Sequence, residues 1–208
     1  LAHSAPLPPQ VVPLGAALGR TLALPVVAPD NLPPFRASIK DGYAVVAADG
    51  PGEYDVVGES RAGAVDELDM GPGRVAYVTT GAPVPPGADA VIQVEDTASA
   101  EPGPGGQRRV RLNMQAVAGQ DIRPVGCDVA EGQVVLEAGV HIGVAEVGIL
   151  ATVGAAEVTV YGTPHVAVLS TGDEVVDPCS GVPPGPGQIR DANRAMLLAA
   201  VAECGGGR

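Results

Sequence analysis

Aromatic side chains are scarce in this sequence, which has no Trp, one Phe and four Tyr among its 208 residues. Single-stranded nucleic acids are usually held by stacking on aromatic platforms, so this binding mode is disfavoured. Basic residues are also few, and the net charge of −12 would repel a phosphate backbone. The tight group Arg108, Arg109 and Arg111 alternates with apolar residues, which is typical of a solvated strand face. Nucleic acid is therefore a poor partner.

Cysteine is equally sparse. The three thiols lie far apart and form no Cys-x-x-Cys pair, at Cys127, Cys179 and Cys204. This spacing predicts neither a zinc ribbon nor a disulfide framework and favours a reducing cytoplasm. The first ten residues lack both an initiator Met and the basic-then-apolar order of a signal peptide, which is typical of a fragment start. The longest apolar stretch, 139–161, contains one His and two Glu, so it is too polar for a membrane span.

Glycine and proline are abundant instead, with 29 Gly and 21 Pro that interrupt short apolar runs along the chain. Apolar runs interrupted by these turn-forming residues predict many short strands joined by turns, and hence a small all-β unit in the first part of the chain. The runs that we interpret as strands start at Tyr43, Val75, Ala90, Val110 and Gln133. Before them, the segment from Val12 to Leu24 resembles a short helix that ends at Pro25.

After about Cys127 the pattern changes towards α/β structure. Apolar residues at helical spacing predict a helix around Val144–Ala151, and a short strand follows at Glu157–Val160. The run His165–Leu169 is predicted to be a buried strand, and Ala192–Glu203 a helix capped by Asp191. Strand, loop and helix are the opening of a doubly wound α/β domain. One strand lacks partners, so we expect the chain to continue beyond residue 208.

The most promising chemistry lies around this last helix. In open α/β sheets, ligands bind beyond the carboxyl ends of strands, where Ser170–Asp173 would face the amino end of a helix capped by Asp191. Carboxylates beside a phosphate repel it unless a hard cation intervenes, so Asp173 and Asp191 suggest Mg²⁺. Thr80 follows a strand in a rigid Pro-rich loop that could present its hydroxyl. The sequence contains no ATP-binding phosphate loop, no dinucleotide fingerprint and no histidine ligand spacing.

Five motifs follow one another along the chain. They are LPPFRASIKDGYAVVAADGPG from Leu32, TTGAPVPPGADAVIQVEDT from Thr79, GQDIRPVGCD from Gly119, STGDE from Ser170 and GQIRDANRAML from Gly187. Together they closely resemble the molybdopterin molybdenumtransferase family, which includes the gephyrin E domain, MoeA-like proteins and plant molybdenum-insertase E domains. The similarity runs from about Val12 to the end of the chain.

The resemblance implies a mixed α/β, multi-subdomain fold. An elongated linker subdomain I would comprise residues 1–28 and 129–161, with an inserted β-rich subdomain II at 29–128. The start of a doubly wound α/β, molybdopterin-binding subdomain III would occupy 162–208.

The resemblance also implies a reaction of molybdenum-cofactor biosynthesis. A molybdenum insertase hydrolyses adenylylated molybdopterin to release AMP, with Mg²⁺ or another divalent cation, and inserts molybdate into the dithiolene. Carried over motif by motif, the implied catalytic residues are Asp41, Thr80, Asp128, Glu146 and Asp173. The implied contacts to the pterin nucleotide are Ser170, Thr171, Gly172, Asp191 and Asn193. Asp173 and Asp191 would hold the cation.

Members of the family build their cleft across a homodimer, so the resemblance implies that Asp41, Thr80, Asp128 and Glu146 act on a substrate bound by the partner protomer. It also implies a cytoplasmic protein, with a molybdopterin-adenylylating or cytoskeletal partner. One departure is Ala192, which stands where relatives have Ser or Thr and removes a potential phosphate-contacting hydroxyl. Two alternatives stay open: a gephyrin-like scaffold for receptor or cytoskeletal partners, and a 208-residue piece that is inert by itself.

Overall fold

The computed structural model describes residues 5–63, 68 and 70–205 of the chain. In chain order, the strands are β1 (Pro9–Pro13), β2 (Val26–Val27), β3 (Ala37–Ser38), β4 (Gly42–Val45), β5 (Gly52–Ser60), β6 (Arg74–Val78), β7 (Ala90–Gln93), β8 (Thr97–Ser99), β9 (Arg109–Leu112), β10 (Ile122–Arg123), β11 (Val134–Leu136), β12 (Glu157–Tyr161), β13 (Val175–Val176) and β14 (Ile189–Arg190). The α-helices are α1 (Val144–Thr152) and α2 (Ala192–Glu203). Within the described residues, no helix is both long and apolar enough to cross a bilayer.

The chain divides into two compact units, of which Ala28–Gln133 is an insertion and the segments on either side of it form the other. The inserted unit is built on a six-stranded sheet in the order β7-β4-β6-β5-β9-β8. Its neighbouring strands are antiparallel except for the β5–β6 pair. This unit confirms the predicted strands at Tyr43, Val75, Ala90 and Val110. The three-part division of the chain at residues 28, 128 and 161 stays a prediction.

The six-stranded sheet has a buried cluster on each of its faces. Successive side chains of a strand point to opposite faces, so one strand contributes to both clusters. All four residues of β4 are buried. Tyr43 and Val45 pack with Val75 and Ile92 on one face, and Ala44 packs with residues such as Ala76, Val78 and Val91 on the other. The buried positions of β4, β6 and β7 are accordingly filled mainly by small and β-branched apolar residues.

The other unit has a separate core. β1 pairs antiparallel with β12 over five residues, and β2 pairs with β11. Helix α1 places the fully buried Leu150 against Leu22, Ile142 and Val160. The predicted strand Glu157–Val160 and the predicted helix around Val144 are both confirmed.

The predicted helix from Val12 to Leu24 is wrong. Val11 and Val12 extend into β1 and pair with β12, and only Leu14–Ala16 form a single 3₁₀ turn. Gly19 then adopts a φ of 75°, which lies outside the helical region. Two glycines lower the helix propensity of this short segment, and strand pairing outweighs what is left of it.

The predicted buried strand His165–Leu169 is also not found: Val166–Leu169 lie outside the helices and strands, and Leu169 is 86% exposed. A strand of a parallel sheet is stabilised by neighbours on both edges. Among the described residues, this segment has no such neighbouring strand. The helix predicted at Ala192–Glu203 is confirmed with its boundaries and its cap at Asp191.

Gly42 provides a test of the sheet packing. A Cβ at this position would lie 2.0 Å from the backbone oxygen of Ile92 on the neighbouring strand β7. Gly42→Ala should therefore force β4 and β7 apart and lower the free energy of unfolding by about 3 kcal/mol. Denaturant unfolding measures the change.

The matched control is Gly148→Ala, because an added Cβ there meets no atom within 4 Å and the residue lies in α1. This change should raise stability by about 1 kcal/mol, the usual gain for alanine over glycine in a helix. Equal effects of the two substitutions would contradict the close approach of β4 and β7.

Candidate functional site

Two of the predicted catalytic residues meet in the inserted unit, where the turn before β4 faces the turn after β6. The Oδ1 atom of Asp41 accepts hydrogen bonds from the backbone N–H of Thr80 at 2.6 Å and from its hydroxyl at 3.0 Å. Both residues are exposed. The carboxylate of Asp41 and the hydroxyl of Thr80 thus form one polar unit that is open to a ligand.

The packing of the sheet explains why these two turns meet. β4 lies between β6 and β7 and runs antiparallel to β6. The residue before β4 and the residues after β6 therefore lie at the same end of these two strands. The backbone oxygen of Asp41 accepts from Val94 N–H at 2.9 Å, which anchors the turn to the end of β7. After Thr80, Gly81 has a φ of 79°, and this left-handed conformation reverses the chain at the site.

Asp128 lies in another turn of the same unit, and its carboxylate accepts from Arg123 rather than from Thr80. The hydrogen bond from Arg123 to Asp128 is the main reason that the pKa of the guanidinium rises above its ordinary value, and Cys127 adds a smaller contribution. Arg123 was missed by sequence reasoning. The available signal was a basic residue inside the GQDIRPVGCD motif, five positions before the carboxylate.

Glu146 belongs to the other unit and serves the helix on which it lies. Its Oε2 atom accepts from the backbone N–H of Gly143 at 2.9 Å, at the amino end of α1. A carboxylate in the first turn also interacts favourably with the helix dipole. The structure therefore gives Glu146 a capping role in addition to the catalytic role that the resemblance implies.

The residues predicted to bind the pterin nucleotide gather around the amino end of α2. Asp191 is buried, and its Oδ1 atom accepts from the backbone N–H of Arg194 at 2.9 Å. The Ser170 hydroxyl also donates to Asp191, and this bond is the largest cause of a pKa below the ordinary value for that carboxyl; the Arg194 amide comes next. A cleft of about 330 Å³ opens beside them, with Ser170, Gly172, Asp191 and Arg194 among its lining residues.

The other predicted residues of this group are close in sequence but differ in setting. Asn193 lies in the first turn of α2, and its backbone amide contributes to the hydrogen bonding of Asp191. Thr171 and Asp173 lie on the exposed loop that precedes β13 and are not among the residues that line the cleft. Of the predicted residues on this side, Ser170, Gly172 and Asp191 thus line the same cleft, and Asp173 does not.

A divalent cation was predicted to be held by Asp173 and Asp191. The described part of the chain contains no group of three or more His, Cys, Asp or Glu side chains that could hold a metal ion. Mg²⁺, however, is commonly bound through one or two carboxylates, with water and substrate phosphates as the other ligands. The Asp191 carboxylate accepts from the Arg194 amide through Oδ1 and also from the Ser170 hydroxyl, and a carboxylate offers about four lone-pair sites in all. Among the described residues, Asp191 at the cleft could thus supply one carboxylate to a cation that arrives with a phosphate substrate, whereas an all-protein cage is not formed.

The comparisons with known proteins agree with these motifs. Residues 1–154 match the family model described as the MoeA N-terminal region, domains I and II. The chain belongs to the MoeA family.

Several relatives of this MoeA-family chain have names that refer to molybdopterin or to molybdenum-cofactor synthesis. Molybdopterin molybdenumtransferase 2 of Mycobacterium tuberculosis is 41% identical over 204 residues, which covers 95% of this chain and 48% of the relative. Gephyrin of Dictyostelium discoideum is 36% identical over 208 residues and covers 92% of this chain and 28% of the relative.

The fold of this MoeA-family chain is also that of a solved structure. The crystal structure of a molybdopterin biosynthesis MoeA protein from Pyrococcus horikosii matches with a TM-score of 0.85 and 34% identity. The match covers 99% of this chain and 52% of the solved one. The chain thus spans about half the length of this neighbour and of the bacterial relatives.

The lowered pKa of Asp191 predicts how the stability of the MoeA-family chain depends on pH. A carboxyl group whose folded pKa is lowered stabilises the fold above its unfolded pKa of about 4, and this contribution is lost as the pH falls through the folded pKa. Asp191→Asn keeps an oxygen for the helix cap but cannot titrate. Its stability deficit relative to wild type should therefore be largest above about pH 5 and should shrink as the pH falls below the unfolded pKa of about 4.

Urea unfolding of both proteins across this pH range measures the deficit. A deficit that stays constant down to the acid end would show that the charge of Asp191 is not what the Ser170 hydroxyl and the Arg194 amide stabilise.

Proposed function

We propose that this chain is part of a molybdenum insertase, which hydrolyses adenylylated molybdopterin in a cation-dependent reaction and inserts molybdate into the dithiolene. The observation that carries the proposal is the convergence of the Ser170 hydroxyl, the Asp191 carboxylate and the Arg194 amide beside a cleft at the amino end of α2. The Ser170 hydroxyl and the Arg194 amide hold the Asp191 carboxylate in place, and the same cleft is lined by Arg194, whose positive charge can attract phosphate oxygens. Two relatives are named molybdopterin molybdenumtransferases, which supports the transfer of molybdenum in this proposal.

The amino end of a long helix suits the pyrophosphate of such a substrate. Backbone N–H groups of the first turn of α2 point outwards, and the helix dipole favours negative charge there. Arg194 adds a cation within the cleft lining. The carboxylate of Asp191 alone would repel phosphate, so we propose that Asp173 and Asp191 hold a divalent cation against the substrate. When bound, this cation would neutralise charge that develops on the phosphate oxygens.

We further propose that the protein acts as a cytoplasmic homodimer. The family resemblance implies that Asp41, Thr80, Asp128 and Glu146 of one protomer act on a substrate bound by the other. The three cysteines are exposed, unpaired thiols, which fits a reducing compartment. In this arrangement the carboxylate and hydroxyl of the Asp41–Thr80 pair could orient a reacting group of the substrate.

The direct test is AMP release by the full-length protein from adenylylated molybdopterin, with molybdate and with Mg²⁺ or EDTA. The proposal predicts AMP release that depends on the cation. No AMP release from the folded protein would contradict the enzyme and favour the alternative of a scaffold, which a search for bound partners would then examine. AMP release by the full-length protein but not by residues 1–208 alone would show that this piece is inert by itself.

Asp173→Asn should reduce cation-dependent AMP release by about 100-fold, the usual loss when a preorganised charge of a site is removed. The exposed position of Asp173 predicts an unchanged fold and an unchanged oligomeric state. Initial rates over a range of Mg²⁺ concentrations, together with size-exclusion chromatography, measure both properties.

The control is Asp30→Asn, which removes the same charge at an exposed position of the inserted unit. This variant should release AMP at the wild-type rate. Wild-type turnover by Asp173→Asn would exclude Asp173 as a cation ligand.

A further inference from the structure

The buried residue Ser38 contacts both turns that carry the Asp41–Thr80 pair. Ser38 is 1% exposed, and it is one of only three buried polar or charged residues in the described chain, with Ser60 and Asp191. A buried hydroxyl is costly unless it is hydrogen-bonded, so its partners indicate which part of the structure it holds in place.

The hydroxyl of Ser38 engages both backbone groups of Lys40. It donates to the Lys40 oxygen at 2.6 Å and accepts from the Lys40 N–H at 3.3 Å. The peptide that joins Lys40 to Asp41 includes that oxygen, so the hydroxyl constrains the direction in which Asp41 leaves the turn. On the other side of Asp41, the backbone of Gly42 is packed against that of Ile92, which limits any shift of the turn at that end.

The backbone of Ser38 engages the second turn of the site. Its N–H donates to the oxygen of Ala82 at 3.0 Å, and its oxygen accepts from the N–H of Gly81 at 2.8 Å. The loop that carries Thr80 is thereby fixed relative to β3. A single buried residue therefore contacts both turns, by its hydroxyl on the Asp41 side and by its backbone on the Thr80 side.

We propose that Ser38 is a positioning residue, whose hydroxyl sets the orientation of Asp41 so that its carboxylate meets both donors of Thr80. The inference rests on the proposed function only for its effect on turnover. The geometric part concerns hydrogen bonds within the inserted unit and can be tested without a substrate.

The variants to compare in the full-length protein are Ser38→Ala and the control Ser60→Ala. Ser60 is also buried, at 4% exposure, and its hydroxyl donates to the Pro83 oxygen at 2.8 Å. Both substitutions remove one buried hydroxyl from the same unit, so their effects on global stability should be similar. Only Ser38→Ala removes the contact with the turn that carries Asp41.

The first readout is hydrogen–deuterium exchange resolved to single amides. The Thr80 amide does not touch the Ser38 side chain, since its acceptor is Asp41. We expect this amide to exchange about tenfold faster in Ser38→Ala, a factor that corresponds to the loss of about one hydrogen bond, and at the wild-type rate in Ser60→Ala. Equal exchange in the two variants would overturn the inference whether or not the protein releases AMP.

The second readout is the rate of AMP release in a double-mutant cycle. Ser38→Ala should lower the rate about tenfold in the wild-type background and should cause no further loss in an Asp41→Ala background, because a residue that acts through Asp41 has nothing left to position. A loss of the same size in both backgrounds would overturn the positioning role. Wild-type protein that released no AMP would refute the proposed function, while the exchange experiment would still decide the geometry.

Discussion

The hydrogen bonds between Asp41 and Thr80 depend on one close contact, the approach of the backbone at Gly42 to that of Ile92. Because a Cβ at position 42 would overlap the Ile92 oxygen, β4 and β7 can pack only with glycine there. This contact fixes where the chain enters β4 and therefore where the residue before it lies. β6 flanks β4 on its other side and delivers Thr80 to the same edge. The site in the inserted unit is thus a consequence of sheet packing at a strand terminus.

Local patterns in the sequence predicted much of the fold because several elements are stabilised locally. The N-cap Asp191, the helix that follows it and the short strands between glycines and prolines all carry their signals within a few residues. The helix predicted for Val12–Leu24 is wrong because the start of this segment pairs with β12, more than a hundred residues away in the chain. The strand predicted for His165–Leu169 is wrong for a related reason, since an apolar run does not form a strand without neighbouring strands to pair with.

The candidate site shows the same limit. The motifs identified Asp41, Thr80 and Asp191, whose hydrogen bonds the structure now describes. They could not indicate that Glu146 caps α1, that Arg123 pairs with Asp128 or that Ser38 contacts both turns. Each of these roles depends on side-chain orientation or on contacts between distant segments. A sequence motif shows which residue types are present, and the fold determines which of them a ligand can reach.

The activity proposed for the full-length protein of this MoeA-family chain is molybdenum insertion. This activity is tested most directly by incubating the full-length protein with adenylylated molybdopterin, molybdate and Mg²⁺, and then offering the pterin product to an apo-molybdoenzyme. We expect the product to contain molybdenum and to restore activity to the apo-enzyme, and we expect omission of molybdate to prevent this. A product without molybdenum, from protein shown to be folded, would contradict the proposed activity.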